Sequence, residues 1–178
     1  MEQAERRVLV LCNPGLPGAL SATATLYAGL QIILPGETAP SHHHTPAALR
    51  LVVEGRGAFT TVEGVRCEME PGDLIITPPM RWHDHGHEGQ EPVIWLDGLD
   101  VPLVRFLDAG FSEDAEFERH ALGRPEGSSF ARYGHNMAPV RSLHRSQASP
   151  VFNYPYARTR EALHSMSRCE APSDWDGW

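Results

Sequence analysis

Four histidines in two spaced pairs hold most of the chemistry in this chain. His42 and His44 lie within Ser41-His42-His43-His44, and His83 and His85 lie within Trp82-His83-Asp84-His85. On an extended strand alternate side chains share a face, so each pair aims two imidazoles in one direction while His43 points away. Two imidazoles from one strand and a third from a distant strand form a nitrogen-donor set. Such a set suits zinc, iron, nickel or copper better than magnesium or calcium. A histidine-rich surface loop would account for His42 to His44 alone. It does not account for a second His-x-His following Pro71-Gly72-Asp73.

Arg50 interrupts the apolar run Leu49-Arg50-Leu51-Val52-Val53 and shares a strand face with Val52. A buried guanidinium needs a partner, and a substrate carboxylate fits its planar fork. The alternatives are an internal salt bridge or an edge arginine with its head in water. His85 shares a face with His83, from which it can hydrogen-bond to substrate or oxygen; otherwise it is a surface histidine. Asp97 can orient His85 or another ligand imidazole, or it is a turn residue before Gly98. Gln31 and Tyr27 share a face and would line the same cavity. Arg6 or Arg7 can add an anion contact from the first strand. His120, His135, His144 and His164 have no comparable spacing and read as surface residues.

The elements that must position these residues are short and β-rich. Strands are expected at Arg7 to Cys12, Thr25 to Leu34, Leu49 to Val53, Ala58 to Val62, Arg66 to Met69, Asp73 to Thr77 and Pro92 to Leu96. Asn13-Pro14-Gly15, Pro35-Gly36, Pro71-Gly72 and Pro78-Pro79 punctuate them, and Glu63-Gly64 reads as a hairpin turn. This pattern predicts an all-β barrel or sandwich. Helix begins only after residue 100, with one or two turns over Pro102 to Ala109. Phe111 to Pro150 lacks periodicity and is expected to be loops. Tyr156 to Cys169 reads as a helix with Thr159 as its cap.

Composition bounds the function. The chain has 178 residues, long enough for a real core, and a formal net charge of −8, which argues against a nucleic-acid partner. An anionic substrate would need a locally basic site. Cys12, Cys67 and Cys169 are odd in number and form no CxxC, so reduced thiols are expected. Neither a signal-peptide core nor a membrane-length apolar run is present in the sequence, and a soluble cytoplasmic protein is expected.

Gly36, five residues, His42-x-His44, then Gly72, five residues, Pro78-x-Met80-x-x-His83, resembles the two cupin motifs. The glutamate usual after the first pair is replaced by Ala48 or Leu49, the usual second-motif glycine by Met80, and the usual asparagine by His87. The strings Pro40-x-His42-x-His44-Thr45, Pro71-Gly72-Asp73-Leu74-Ile75-Ile76-Thr77-Pro78, Trp82-His83-Asp84-His85-Gly86 and Trp95-Leu96-Asp97-Gly98-Leu99-Asp100 narrow the likeness. They resemble gentisate 1,2-dioxygenase and its relatives acting on salicylate or 1-hydroxy-2-naphthoate. The likeness extends from Asn13-Pro14-Gly15-Leu16 to Asn153-Tyr154-Pro155-Tyr156.

That resemblance implies a double-stranded β-helix, the cupin jelly-roll barrel, over residues 1–110. Residues 111–178 would be an extension like an inter-cupin linker, with a short helix. It implies Fe(II) held by His42, His44 and His83, with Arg50 at the substrate carboxylate and His85 and Asp97 in catalytic roles. Gln31, Tyr27 and Arg6 would contact substrate. Three neutral imidazoles leave a divalent ion its full charge, which a 2-hydroxy-aromatic acid offsets by chelating through carboxylate and phenolate. The implied reaction joins gentisate, or a close 2-hydroxy-aromatic acid, with O2; with gentisate the product is maleylpyruvate. A homo-oligomer is implied as well. Family members usually carry two cupin domains, whereas this chain matches the N-terminal catalytic cupin and linker. The competing expectations are a non-catalytic cupin remnant that binds metal or aromatic acid, and a cupin isomerase. Trp175 and Trp178 read as contacts to a second domain or a second copy.

Overall fold

Alternating apolar residues on short strands must bury one face, and here two antiparallel sheets bury theirs against each other. The computed structural model describes residues 7–135 and 148–169. Its strands in chain order are β1 (Val8–Val10), β2 (Tyr27–Ile33), β3 (Thr38–His44), β4 (Ala48–Glu54), β5 (Ala58–Val62), β6 (Val65–Glu68), β7 (Leu74–Thr77), β8 (His83–His87), β9 (Val93–Leu99), β10 (Ser112–Asp114) and β11 (Asn153–Tyr154). One sheet has six strands in the order β1-β2-β9-β4-β7-β11; the other has five, β10-β3-β8-β5-β6. The result is the jelly-roll barrel expected from the motifs. Three helices follow the barrel: α1 (Val101–Phe106), α2 (Ser128–Tyr133) and α3 (Tyr156–Cys169). None is long and apolar enough to cross a membrane.

The stretch expected to be loops contains β10 and α2, and β10 pairs with β3 while β11, beyond it, pairs with β7. Runs of three and two residues have too little periodicity to be read; edge pairing with the barrel makes them strands. Helix α3 spans the expected residues, but Thr159 does not cap it. The Asp73 carboxylate accepts from the Tyr156 N–H at 2.7 Å. Thr159 lies a turn inside, its N–H bonded to the Pro155 carbonyl at 3.2 Å. A carboxylate distant in sequence has taken the capping role.

Register builds the interior in rows. On the six-stranded sheet Tyr27, Leu99, Ala48 and Thr77 form one inward row. Gly29, Asp97, Arg50 and Ile75 form the next, followed by Gln31, Trp95 and Val52. Ile33, Val52, Ala58, Met69, Val93 and Trp95 are fully buried and close one end of the barrel. Each large side chain among them stabilises the fold by roughly 2 kcal/mol. Polar side chains are concentrated toward the other end. The Glu63-Gly64 hairpin turn has φ of 50° and 73°, the left-handed pair that matches strand twist. Met80 also has positive φ, 60°, which explains why glycine suits that motif position. Its N–H donates to the His44 carbonyl at 2.8 Å, tying the loop to the end of β3.

The outer face of the six-stranded sheet is apolar too. Leu9, Leu30, Leu96, Leu51 and Leu74 line up across five strands. The outer face of the other sheet is covered by the chain from Phe111 to His120, so every residue of β8 is buried.

Candidate metal and substrate site

His42 and His44 alternate with buried Ser41 and His43 on β3, so their rings enter the barrel as strand geometry requires. His83 lies directly opposite His42 across the β3–β8 pairing. Ring centroids are 4.3 Å apart for His42 and His83, 4.9 Å for His44 and His83, and 5.6 Å for His42 and His44. One nitrogen from each ring falls within 4.8 Å of the other two. The backbone selects which nitrogen. His42 Nδ1 lies 2.8 Å from the Pro40 carbonyl, His44 Nδ1 2.8 Å from Pro46, and His83 Nδ1 2.9 Å from Arg81. A carbonyl only accepts, so each Nδ1 carries the proton and each Nε2 keeps its lone pair. His83 Nε2 is buried and makes no hydrogen bond among the described residues. An orphaned buried lone pair costs stability unless something coordinates it, and a transition metal fits.

Burial disfavours the charged form of His83, His85 and His44. Burial, with the Arg50 charge second, lowers His83 to about 2. Burial also holds His85 well below the ordinary imidazole value and lowers His44. At the usual glutamate position Ala48 faces inward and Leu49 outward, so neither supplies a fourth ligand. Among the described residues, three imidazoles could hold an ion together.

Arg50 is buried at 4% exposure, one row in from the open end. Its Nε lies 3.3 Å from Asp97 Oδ1, and its Nη1 donates to Thr77 Oγ1 at 2.8 Å. The internal salt bridge weighed for Arg50 is thus present. Asp97, expected to orient an imidazole, lies against Arg50. Facing positions on β4 and β9 put them together, a register that spacing cannot reveal. Thr77 and Asp97 fix the guanidinium plane. His85 Nδ1 lies 2.8 Å from Thr60 Oγ1, and its ring sits 5.8 Å from those of His83 and Trp95. Gln31 is buried on the inner face of β2. Tyr27 stands on the same face, its hydroxyl pushed above its ordinary pKa by burial and then by the Asp97 charge.

His42, His44, His83, His85, Arg50, Asp97, Tyr27 and Gln31 therefore face one interior. Arg6 lies outside the described residues. Its neighbour Arg7 pairs with Glu37 at 2.7 Å. His144, Trp175 and Trp178 also lie outside the described residues. The sequence reading did not single out Thr60 or Thr77, whose only signal was a polar residue on an inward strand position. It also placed His120 on the surface. That ring is half-buried, with Nδ1 2.7 Å from Ser41 Oγ. A cavity of about 440 Å³ wraps the open end beside Tyr27, Ala48, Thr77 and Leu99, continuing onto Leu49 and Ile76 of the outer face.

The cupin domain family matches residues 29–100. Gentisate 1,2 dioxygenase 1 of Aquipseudomonas alcaligenes is 51% identical over 98% of this chain and 50% of its own length. The 1-hydroxy-2-naphthoate 1,2-dioxygenase of a Nocardioides species is 37% identical over 97% of this chain and 44% of its own. Among solved structures, the salicylate 1,2-dioxygenase of Pseudoaminobacter salicylatoxidans, in adducts with gentisate, superposes with a TM-score of 0.86. That match is 35% identical over 96% of this chain and 48% of the other. The chain spans about half the length of these relatives.

Proposed function

Because the chain is a cupin protein similar to one half of the gentisate and salicylate 1,2-dioxygenases, we propose that it binds Fe(II) and a 2-hydroxy-aromatic acid for ring cleavage by dioxygen. The observation that carries this reading is the buried, unpartnered Nε2 of His83 facing His42 and His44, with Arg50 in the same interior. His42, His44 and His83 would hold the ion through Nε2. Iron there would supply Lewis acidity toward carboxylate and phenolate, and the redox chemistry that dioxygen needs. Three ligands on one side leave room for a chelating acid.

The chain's own residues do the remaining work. Arg50, held by Asp97 and Thr77, orients the acid by charge-assisted hydrogen bonds to its carboxylate. A guanidinium has five N–H donors, enough for all three partners. His85, tied through Nδ1 to Thr60 and disfavoured as a cation by burial, hydrogen-bonds through Nε2 to the substrate or dioxygen. Tyr27 and Gln31 bound the ring from β2, and the Trp95 end of the barrel excludes water. With gentisate the ring opens between the carboxyl-bearing carbon and its hydroxyl-bearing neighbour, giving maleylpyruvate. Product formed under isotope-labelled O2 should carry label in its newly formed carboxylate, while the keto oxygen exchanges with water; a product without any labelled oxygen would refute ring cleavage by dioxygen.

The half-length match favours a second reading, a cupin that binds metal and acid without turnover. It predicts binding with no labelled product. The homo-oligomer belongs to the first reading. The leucine row across the outer face of the six-stranded sheet supports it, since an apolar row of this kind can pack against its own copy. Leu51→Lys, in the middle of that row, should lower the sedimenting mass; an unchanged mass would clear this face of the role.

A further inference from the structure

The β3–β8 pairing carries the metal site, yet it is interrupted beside the site. Ala39 pairs with His85 and His42 with His83, so the register slips across Pro40 and Ser41. Pro40 has no N–H to offer a ladder. The Ser41 backbone bonds away from β8: its N–H donates to the Glu118 carbonyl at 3.0 Å, and its carbonyl accepts from Ala115 N–H at 2.8 Å. The ladder therefore sets His42 against His83 beside a break in its register.

On the outer face, behind the ligands, the residues flanking them are gripped together. Trp82, beside His83, stacks on His43, beside His42, with centroids 3.9 Å apart and planes 7° from parallel. His43 Nε2 lies 2.9 Å from Glu113 Oε2 on β10. His120 joins the two strands. Its Nδ1 is 2.7 Å from Ser41 Oγ, its backbone N–H donates to Asp84 Oδ2 at 2.9 Å, and its ring lies 6.0 Å from that of Trp82. Ser41 precedes His42, while Trp82 and Asp84 flank His83. Phe117 packs edge-on against the same ring at 4.9 Å.

We propose that His120 is a positioning residue for the metal site: through Ser41, Asp84 and Trp82 it clasps β3 and β8 where their own ladder slips. This rests on the three-histidine metal reading. Groups that orient ligands from behind change metal affinity by about 10–100-fold, and this clasp acts on two ligands at once.

The test is titration of the metal-free chain with cobalt(II), following its visible ligand-field bands without substrate. His120→Ala should weaken cobalt binding roughly 10–100-fold and change the band pattern. His120→Asn, whose side-chain amide can bond to Ser41 Oγ, should restore most of both. His164→Ala, exposed on α3, should change neither. An alanine variant with wild-type affinity and bands overturns the proposal. So does a loss that asparagine does not restore and that only follows the melting temperature. A wild-type chain that binds no cobalt overturns the three-histidine site and the clasp together. Intact cobalt binding without ring-opened product would remove the dioxygenase reading alone.

Discussion

His83→Ala should abolish stoichiometric metal binding. His83 is the one fully buried ligand, its Nε2 is buried without a hydrogen-bond partner among the described residues, and it is the only one of the three supplied by β8. His42 and His44 share β3 and cannot enclose an ion between strands without it. Binding energies of four-ligand zinc sites imply about 3 kcal/mol per ligand, so affinity should fall at least ~100-fold. The metal-free fold should tolerate the change, since it also removes a buried polar atom without a partner. Metal content per chain after gel filtration is the readout. A variant that keeps one metal per chain would show that the ligand set is wrong.

The second large effect is expected at Arg50. Arg50→Ala should weaken anaerobic binding of gentisate to the iron-loaded chain while leaving iron content unchanged. Losing a buried charge-assisted contact costs roughly 2–5 kcal/mol, or about 30-fold and more in affinity. The variant also takes the Arg50 charge away from the Asp97 carboxylate, 3.3 Å from Nε in the wild type, and a buried carboxylate that loses a charged neighbour is costly. The Arg50→Ala, Asp97→Asn double variant removes that penalty and should still bind gentisate weakly. Wild-type affinity in the double variant would free Arg50 from the carboxylate role.

Local features of this fold were legible and long-range ones were not. Strand punctuation by Pro and Gly, the Glu63-Gly64 hairpin and the inward alternation of His42 and His44 all follow from backbone rules acting over a few residues. The partners inside the barrel depend on register. Asp97 meets Arg50 because β9 lies beside β4, and Thr77 meets it because β7 lies on the other side. Asp73 caps α3 across 83 residues, and Ser41 meets His120 across 79. No spacing in the sequence encodes those encounters. β10 and β11 are strands only because a barrel edge receives them.

The site in this half-length chain should suffice for ring cleavage. Oxygen uptake by the purified chain, loaded with iron anaerobically and then given gentisate and O2, tests it most directly. Oxygen should be consumed mole for mole with ring-opened product. No uptake, with iron and gentisate both bound, would contradict it and leave a cupin that binds without cleaving.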